Sequence, residues 1–156
     1  MARTSADQLD ELWMHEALRA AQRALESGEV PIGAVVVSEG RIQGRGFNRN
    51  IMESDPAAHA EIVALREAGA AAGNYRLVDC DLYVTIEPCA MCAGAMGLAR
   101  IRRLIYGADD PKSGAVHSAL RVINHPALNH RIDVRPGVLA GRCADLLQEF
   151  FRARRK

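Results

Sequence analysis

The chain has 156 residues, 49% of them hydrophobic and 25% charged, with a formal net charge of +1. Such a length and balance suit one globular domain, residues 1–156, around one core, and exclude a disordered or fibrous chain. No apolar run approaches the roughly 20 residues of a membrane helix, and the polar opening MARTSADQLDELW has no signal-like apolar stretch, so a cytoplasmic location away from membranes is expected.

In chain order, Leu9 to about Ser27 reads as an amphipathic helix, with Leu12, Trp13, Ala17, Ala20, Ala21 and Ala24 at helical spacing and Gly28 as its stop. Ile32 to Val37 is a β-branched strand, and Arg41 to Phe47 is its hairpin partner across Ser-Glu-Gly. Ala57 to about Ala72 is an Ala-rich helix ended by Gly73-Asn74. Leu82 to Ile86 is a buried strand, and Pro88 opens a helix to about Arg100, a place where its missing N–H costs nothing. Arg103 to Tyr106 is a strand, Gly107 to Gly114 a loop, and Ser118 to Ile123 a short helix. Ile132 to Val134 forms the last strand, and Leu139 to Arg155 the closing helix. A hairpin followed by helical crossovers predicts an α/β fold, with a mixed sheet of about five strands covered by helices on both faces.

Charge is unevenly spread: residues 1–78 carry 8 Lys/Arg against 11 Asp/Glu, and residues 79–156 carry 12 against 8. A basic half suits a polyanionic partner, and equally a solvated charged face. The four cysteines are Cys80, Cys89, Cys92 and Cys143. Without a secretion signal they are expected as thiols, Cys80 and Cys143 in the core.

The chemistry concentrates in His59-Ala60-Glu61 and Pro88-Cys89-Ala90-Met91-Cys92. Alone, a CxxC pair is a redox site or half of a structural zinc site, and His-x-Glu recurs by chance. Together they spell the known H-x-E…P-C-x-x-C signature of zinc-dependent nucleobase deaminases. Cys89 and Cys92 stand three apart, within one helical turn. They lie at a helix N-terminus, where the dipole favours thiolate, the metal-binding form. His59 with two thiolates makes three protein ligands for one zinc ion per subunit, leaving a position for water. Two thiolates neutralise the metal's charge, so a nearby base is needed, and Glu61 supplies it. Glu61 would take the water proton, deliver it to the ring nitrogen and assist the departure of ammonia. His59 and Glu61 do not share a face of a regular helix, so both can face one ion only at a helix entrance.

The chain resembles the family of bacterial tRNA-specific adenosine deaminases, the TadA type, within the cytidine-deaminase-like superfamily. The resemblance spans nearly the whole sequence: Glu29-Val30-Pro31-Ile32-Gly33-Ala34, Gly46-Phe47-Asn48-Arg49, Asp55 to Glu61, Asn74-Tyr75-Arg76-Leu77, Glu87 to Met96, Asn129-His130-Arg131 and Phe150 to Arg155. It implies a three-layer α/β/α cytidine-deaminase-like fold and a homodimer. It also implies conversion of adenosine to inosine at the wobble position of a tRNA, with the arginine tRNA of anticodon ACG as the expected substrate. The anticodon stem-loop would be splayed so that the base enters the pocket. Only through this resemblance is Val30 a pocket wall and Ala60 a backbone N–H contact.

Other residues suit that role chemically. Asn48 can donate to and accept from a base edge, or simply serve a turn. Phe150 and Phe151 precede Arg152, Arg154, Arg155 and Lys156, aromatics and cations that can stack bases and hold phosphates. Adjacent helical positions diverge, so one Phe should pack and the other face RNA. Asp110 could accept from a ribose 2′-OH, favouring RNA over DNA, or cap a turn. A free-base or nucleoside deaminase acting on guanine or cytosine is the alternative reading, and it would not need the basic aromatic tail. A zinc-stabilised RNA-binding subunit without activity is a further one; it would be expected to lack Glu61.

Overall fold

In the computed structural model the described residues are 4–154, so Arg155, expected at the RNA surface, lies outside them. Helix α1 spans Ser5–Glu26 and begins four residues before the expected Leu9. Its reason is a capping box: Thr4 Oγ1 accepts from Asp7 N–H at 3.1 Å, and the Asp7 carboxylate accepts from Thr4 N–H at 3.3 Å. Strands β1 (Gly33–Ser38) and β2 (Arg41–Phe47) form the expected hairpin. Then come α2 (Ala60–Ala72), β3 (Asp81–Ile86), α3 (Ala90–Ala99), β4 (Arg103–Ala108), β5 (Asp133–Arg135) and α4 (Ala140–Arg154).

The sheet order is β2-β1-β3-β4-β5. Strand β1 is antiparallel to both of its neighbours, whereas β3, β4 and β5 run parallel. All six residues of β3 are buried, as befits a central strand covered on both faces. Alternating side chains divide the core in two. Val36, Leu82, Val84, Leu104 and Tyr106 pack beneath α2 and α3; Val35, Val37, Tyr83 and Ile105 pack against α1 and Cys143 of α4. The result is the three-layer α/β/α architecture of the cytidine-deaminase-like fold. Edge strand β2 lies flush on α2, because a Cβ at Gly46 would strike the Ala60 carbonyl and the Ala64 amide.

Two further helix starts and one helix differ from expectation. Ala57 and Ala58 are held outside α2, since Ala57 N–H donates to Asp55 Oδ1 at 2.8 Å and the Ala58 carbonyl accepts from Arg49 N–H at 2.9 Å. Pro88 precedes the N-cap Cys89 instead of opening α3. No helix forms at Ser118–Ile123, which is a run of turns and irregular backbone. The amides of Val116, His117 and Ser118 donate to the buried Glu87 carboxylate, those of Ala119 and Leu120 to the Gly114 carbonyl and those of Val122 and Ile123 to the Ala115 carbonyl, so no i→i−4 ladder runs through the segment.

The N-terminal ends of β3 and β4 are tied to α1 through Asp10, which is 2% exposed. Its carboxylate accepts from Tyr83 Oη at 2.6 Å, Arg103 at 2.8 Å and Arg135 at 2.7 Å. Burial would raise its pKa, but the hydrogen bonds from Arg103, Tyr83 and Arg135 outweigh it and hold the carboxyl below its ordinary value. Among the described residues no helix is long and apolar enough to cross a membrane.

Candidate active site

At the other end of the sheet, two helices begin face to face. His59 is the N-cap of α2 and Cys89 the N-cap of α3, both with extended backbone. Their amides therefore leave the helical path where the side chains of Cys92 and Glu61, in the first turns, can join them. His59 Nδ1 lies 3.5 Å from Cys89 Sγ and 3.5 Å from Cys92 Sγ. A tetrahedral ion with ordinary Zn–N and Zn–S bonds would separate such atoms by about 3.6 Å. All three donor atoms lie within 4.8 Å of one another, and both thiols are free. The donor set and its spacing thus fit zinc, with no fourth protein ligand in the group among the described residues.

Electrostatics favour a thiolate at Cys89 and a thiol at Cys92. A hydrogen bond from Cys92, then one from His59, pushes the Cys89 thiol far below its ordinary value, so it stands as thiolate. Cys92 is pushed up by its bond to Cys89 and by burial. His59 is raised chiefly by its contact with Cys89. Two helix N-termini aimed at one spot favour the negative charge that collects there. Glu61, 4% exposed, lies in the first turn of α2. Burial pushes its carboxyl up to about 7, against the pull of its own backbone N–H and of His59, so it can hold or release a proton near neutrality.

Other expected residues take distinct places. Asn48 is buried, and its Oδ1 accepts from Ala60 N–H at 2.8 Å. That amide, expected to contact substrate, is therefore committed to Asn48, and the Asn48 amino group is the end left to donate. Val30 is half-buried, directly after buried Glu29. Asp110 serves a turn: its Oδ1 accepts from the amides of Lys112 at 3.1 Å and Ser113 at 3.2 Å. Phe150 is buried at 7% exposure and Phe151 is 45% exposed, the split expected of neighbours. Arg152 is exposed. Arg154 is engaged within the chain, its guanidinium 4.4 Å over the Phe150 ring and donating to the Gly28 carbonyl at 2.7 Å.

Sequence reasoning passed over Glu87. Its carboxylate accepts from the amides of Asp110, Val116, His117 and Ser118 and from the Ser118 hydroxyl. These bonds outweigh burial and hold its pKa down to about 2. It pins the 110–118 segment beside Cys89, and Gly114 has no room for a Cβ against that carboxylate. A charged residue directly after the strand-like run Leu82–Ile86 was the available signal. The neighbouring Asp109–His117 pair, 2.9 Å apart, is exposed.

The sequence profile of MafB19-like deaminases matches residues 9–155. A tRNA-specific adenosine deaminase of Agrobacterium fabrum is 50% identical over 143 residues, covering 92% of this chain and 94% of the relative. One of Streptococcus pyogenes serotype M1 is 48% identical over 144 residues, covering 92% and 84%. A solved structure from a study of A-to-I editing by tRNA:A34 deaminases at the wobble position of transfer RNA superposes with a TM-score of 0.83 at 49% identity, covering 86% of this chain and 97% of that one. A guanine deaminase of Nitrosomonas europaea superposes with a TM-score of 0.79 at 26% identity, covering 90% and 83%.

Proposed function

This chain is a MafB19-like deaminase and belongs to the tRNA-specific adenosine deaminase family; from that premise we propose that it hydrolyses adenosine to inosine at the wobble position of a tRNA anticodon. The arginine tRNA with anticodon ACG is its proposed substrate, and a cytoplasmic homodimer its working form. The observation that carries the chemistry is the spacing of 3.5 Å from His59 Nδ1 to each of two sulfurs, with Glu61 buried beside them.

In this reading His59, Cys89 and Cys92 hold one zinc ion. Bound there, zinc supplies Lewis-acid activation of a water molecule. Glu61 would take a proton from the attacking water and pass it to the ring nitrogen as the water oxygen bonds to the neighbouring amine-bearing carbon. It would then take the proton remaining on that oxygen and hand it to the amine, so that the C–N bond breaks, ammonia leaves and the base keeps a carbonyl. A carboxyl held near 7 by burial suits both halves of this traffic. The Asn48 amino group donates to an acceptor on the base edge, its orientation fixed because Oδ1 is tied to Ala60. Val30 forms part of the pocket wall. Phe151 and Arg152, with Arg155 beyond them in the chain, meet unpaired bases and phosphates of the loop. Arg154 and Phe150 hold that helix end in place. The second oxygen of Asp110 is the acceptor offered to a 2′-OH.

Ammonia release from an anticodon stem-loop RNA, compared with free guanine, cytosine, adenosine and cytidine, tests the reading. Turnover of the RNA with inosine at the first anticodon position is expected. Turnover of a free base or nucleoside in preference to the RNA would assign the chain to the other deaminase class.

A further inference from the structure

Glu29 stands three residues beyond the end of α1 and is 1% exposed. Its carboxylate sits under the loop 49–58, with Oε1 accepting from Ile51 N–H at 3.0 Å and Oε2 from Met52 N–H at 2.8 Å. The loop is closed at its base. Arg49 N–H donates to the Ala58 carbonyl at 2.9 Å, Asp55 N–H to the Asn50 carbonyl at 3.1 Å, and Asn50 Nδ2 to the Asp55 carbonyl at 3.0 Å. Burying a carboxylate is costly unless both oxygens are bonded. Here both bonds fix the backbone of two residues whose side chains bury little: Ile51 is 68% and Met52 53% exposed. Core packing does not account for so rigid a mount.

Its position does. The loop runs from Asn48, bonded to Ala60, to Ala58, next to His59, so both of its ends adjoin the site. At its base lies Arg49, 4.6 Å over the Phe47 ring, with its Nε buried and unpartnered. Across the Gly28–Glu29 segment, Arg154 grips the Gly28 carbonyl and Phe151 is exposed. Apolar side chains interleaved with arginines beside a nucleobase site match single-stranded nucleic acid, whose bases pack on apolar surface while its phosphates meet cations.

We propose that Ile51 and Met52 form an apolar seat for an unpaired base neighbouring the target adenosine in the RNA loop, and that Glu29 is the positioning residue that holds this seat. The inference rests on the RNA-deaminating function proposed above. Opening the loop requires the flanking bases to unstack, and a preformed surface recovers part of that loss.

The test is steady-state kinetics of the zinc-loaded protein on an anticodon stem-loop RNA, and on the same RNA made abasic at the positions flanking the target. The paired substitution Ile51→Ala/Met52→Ala should raise KM for the intact RNA about tenfold, the effect of losing one base contact of middling strength, with the larger share in KM rather than kcat. The rise should vanish on the abasic RNA. Glu29→Gln should raise KM in the wild-type background and add little to the double variant, because both act through one seat. An unchanged KM, an equal rise on abasic RNA, or additive effects of Glu29→Gln would overturn the proposal. So would a change in sedimentation of the double variant with KM unaltered, which would give the surface to a protein contact. A wild-type protein that makes no inosine in the intact RNA would instead defeat the function itself.

Discussion

Replacing Asp10 by Asn removes one negative charge and changes no volume, so it isolates what that charge does at the end of the sheet away from the candidate site. Asp10 faces two guanidinium groups, Arg103 at 2.8 Å and Arg135 at 2.7 Å, and the Tyr83 hydroxyl at 2.6 Å. Removing one partner of a buried charge pair costs about 3–5 kcal/mol. Arg103 and Arg135 keep 29% and 36% side-chain exposure, so water can partly rescue them, and the lower figure of about 3 kcal/mol applies. For a chain of this size that is a fall in melting temperature of roughly 6–12 °C. Urea titration of the zinc-loaded variant and parent at pH 7, with and without 0.5 M salt, measures it. Salt should leave the difference nearly intact, since Asp10 itself is out of contact with solvent ions. Because the folded pKa of Asp10 is depressed, its contribution is complete above the ordinary carboxylate value of 3.8 and is lost as pH falls below it. The gap between parent and variant should therefore close only in acid. A difference under about 1 kcal/mol, or one abolished by salt, would refute the assignment of Asp10 as a buried anchor.

Glu61→Ala should retain zinc by metal analysis and lose roughly 10²-fold or more in turnover, the usual share of a proton-transfer group; undiminished activity would show that another group moves the proton. Gly114→Ala forces a methyl against the Glu87 carboxylate and should destabilise the protein by about 1–3 kcal/mol in urea titration; an unaltered midpoint would mean that the 110–118 segment yields freely. Asp110→Asn should narrow the rate preference for an RNA hairpin over a matched DNA hairpin, and equal relative rates before and after would leave Asp110 with its turn alone.

Much of the site could be read in the residues because its parts are local. A His and a Glu two apart, and two Cys three apart, announce helix entrances by their spacing, and both pairs do stand at entrances. The strands were legible for a similar reason: β-branched runs such as Ala34–Val37 and Leu82–Ile86 carry their own burial pattern. What escaped depends on partners distant in the chain. The run Ser118–Ile123 reads locally as a helix, but the carbonyls of Gly114 and Ala115 take most of its amides, in a segment pinned by a carboxylate some thirty residues away. Likewise the use of the Ala60 amide by Asn48, and of Arg154 by Gly28, is decided by packing that no local pattern announces. The early start of α1 is a different case. Its capping box was written in Thr4-Ser5-Ala6-Asp7 and was outvoted by the apolar periodicity that begins later.

The bare α-carbon of Gly46 has a wider meaning for how variants of this protein are to be understood. A residue with no functional group, on an outer strand, sets the height at which a helix rides, and the entrance of that helix carries both the imidazole and the buried carboxylate of the candidate site. One added methyl there would tilt both together and leave every reactive atom chemically intact. Loss of turnover at that position would then report a ruler that has changed length, and a search for damaged chemistry would look in the wrong place.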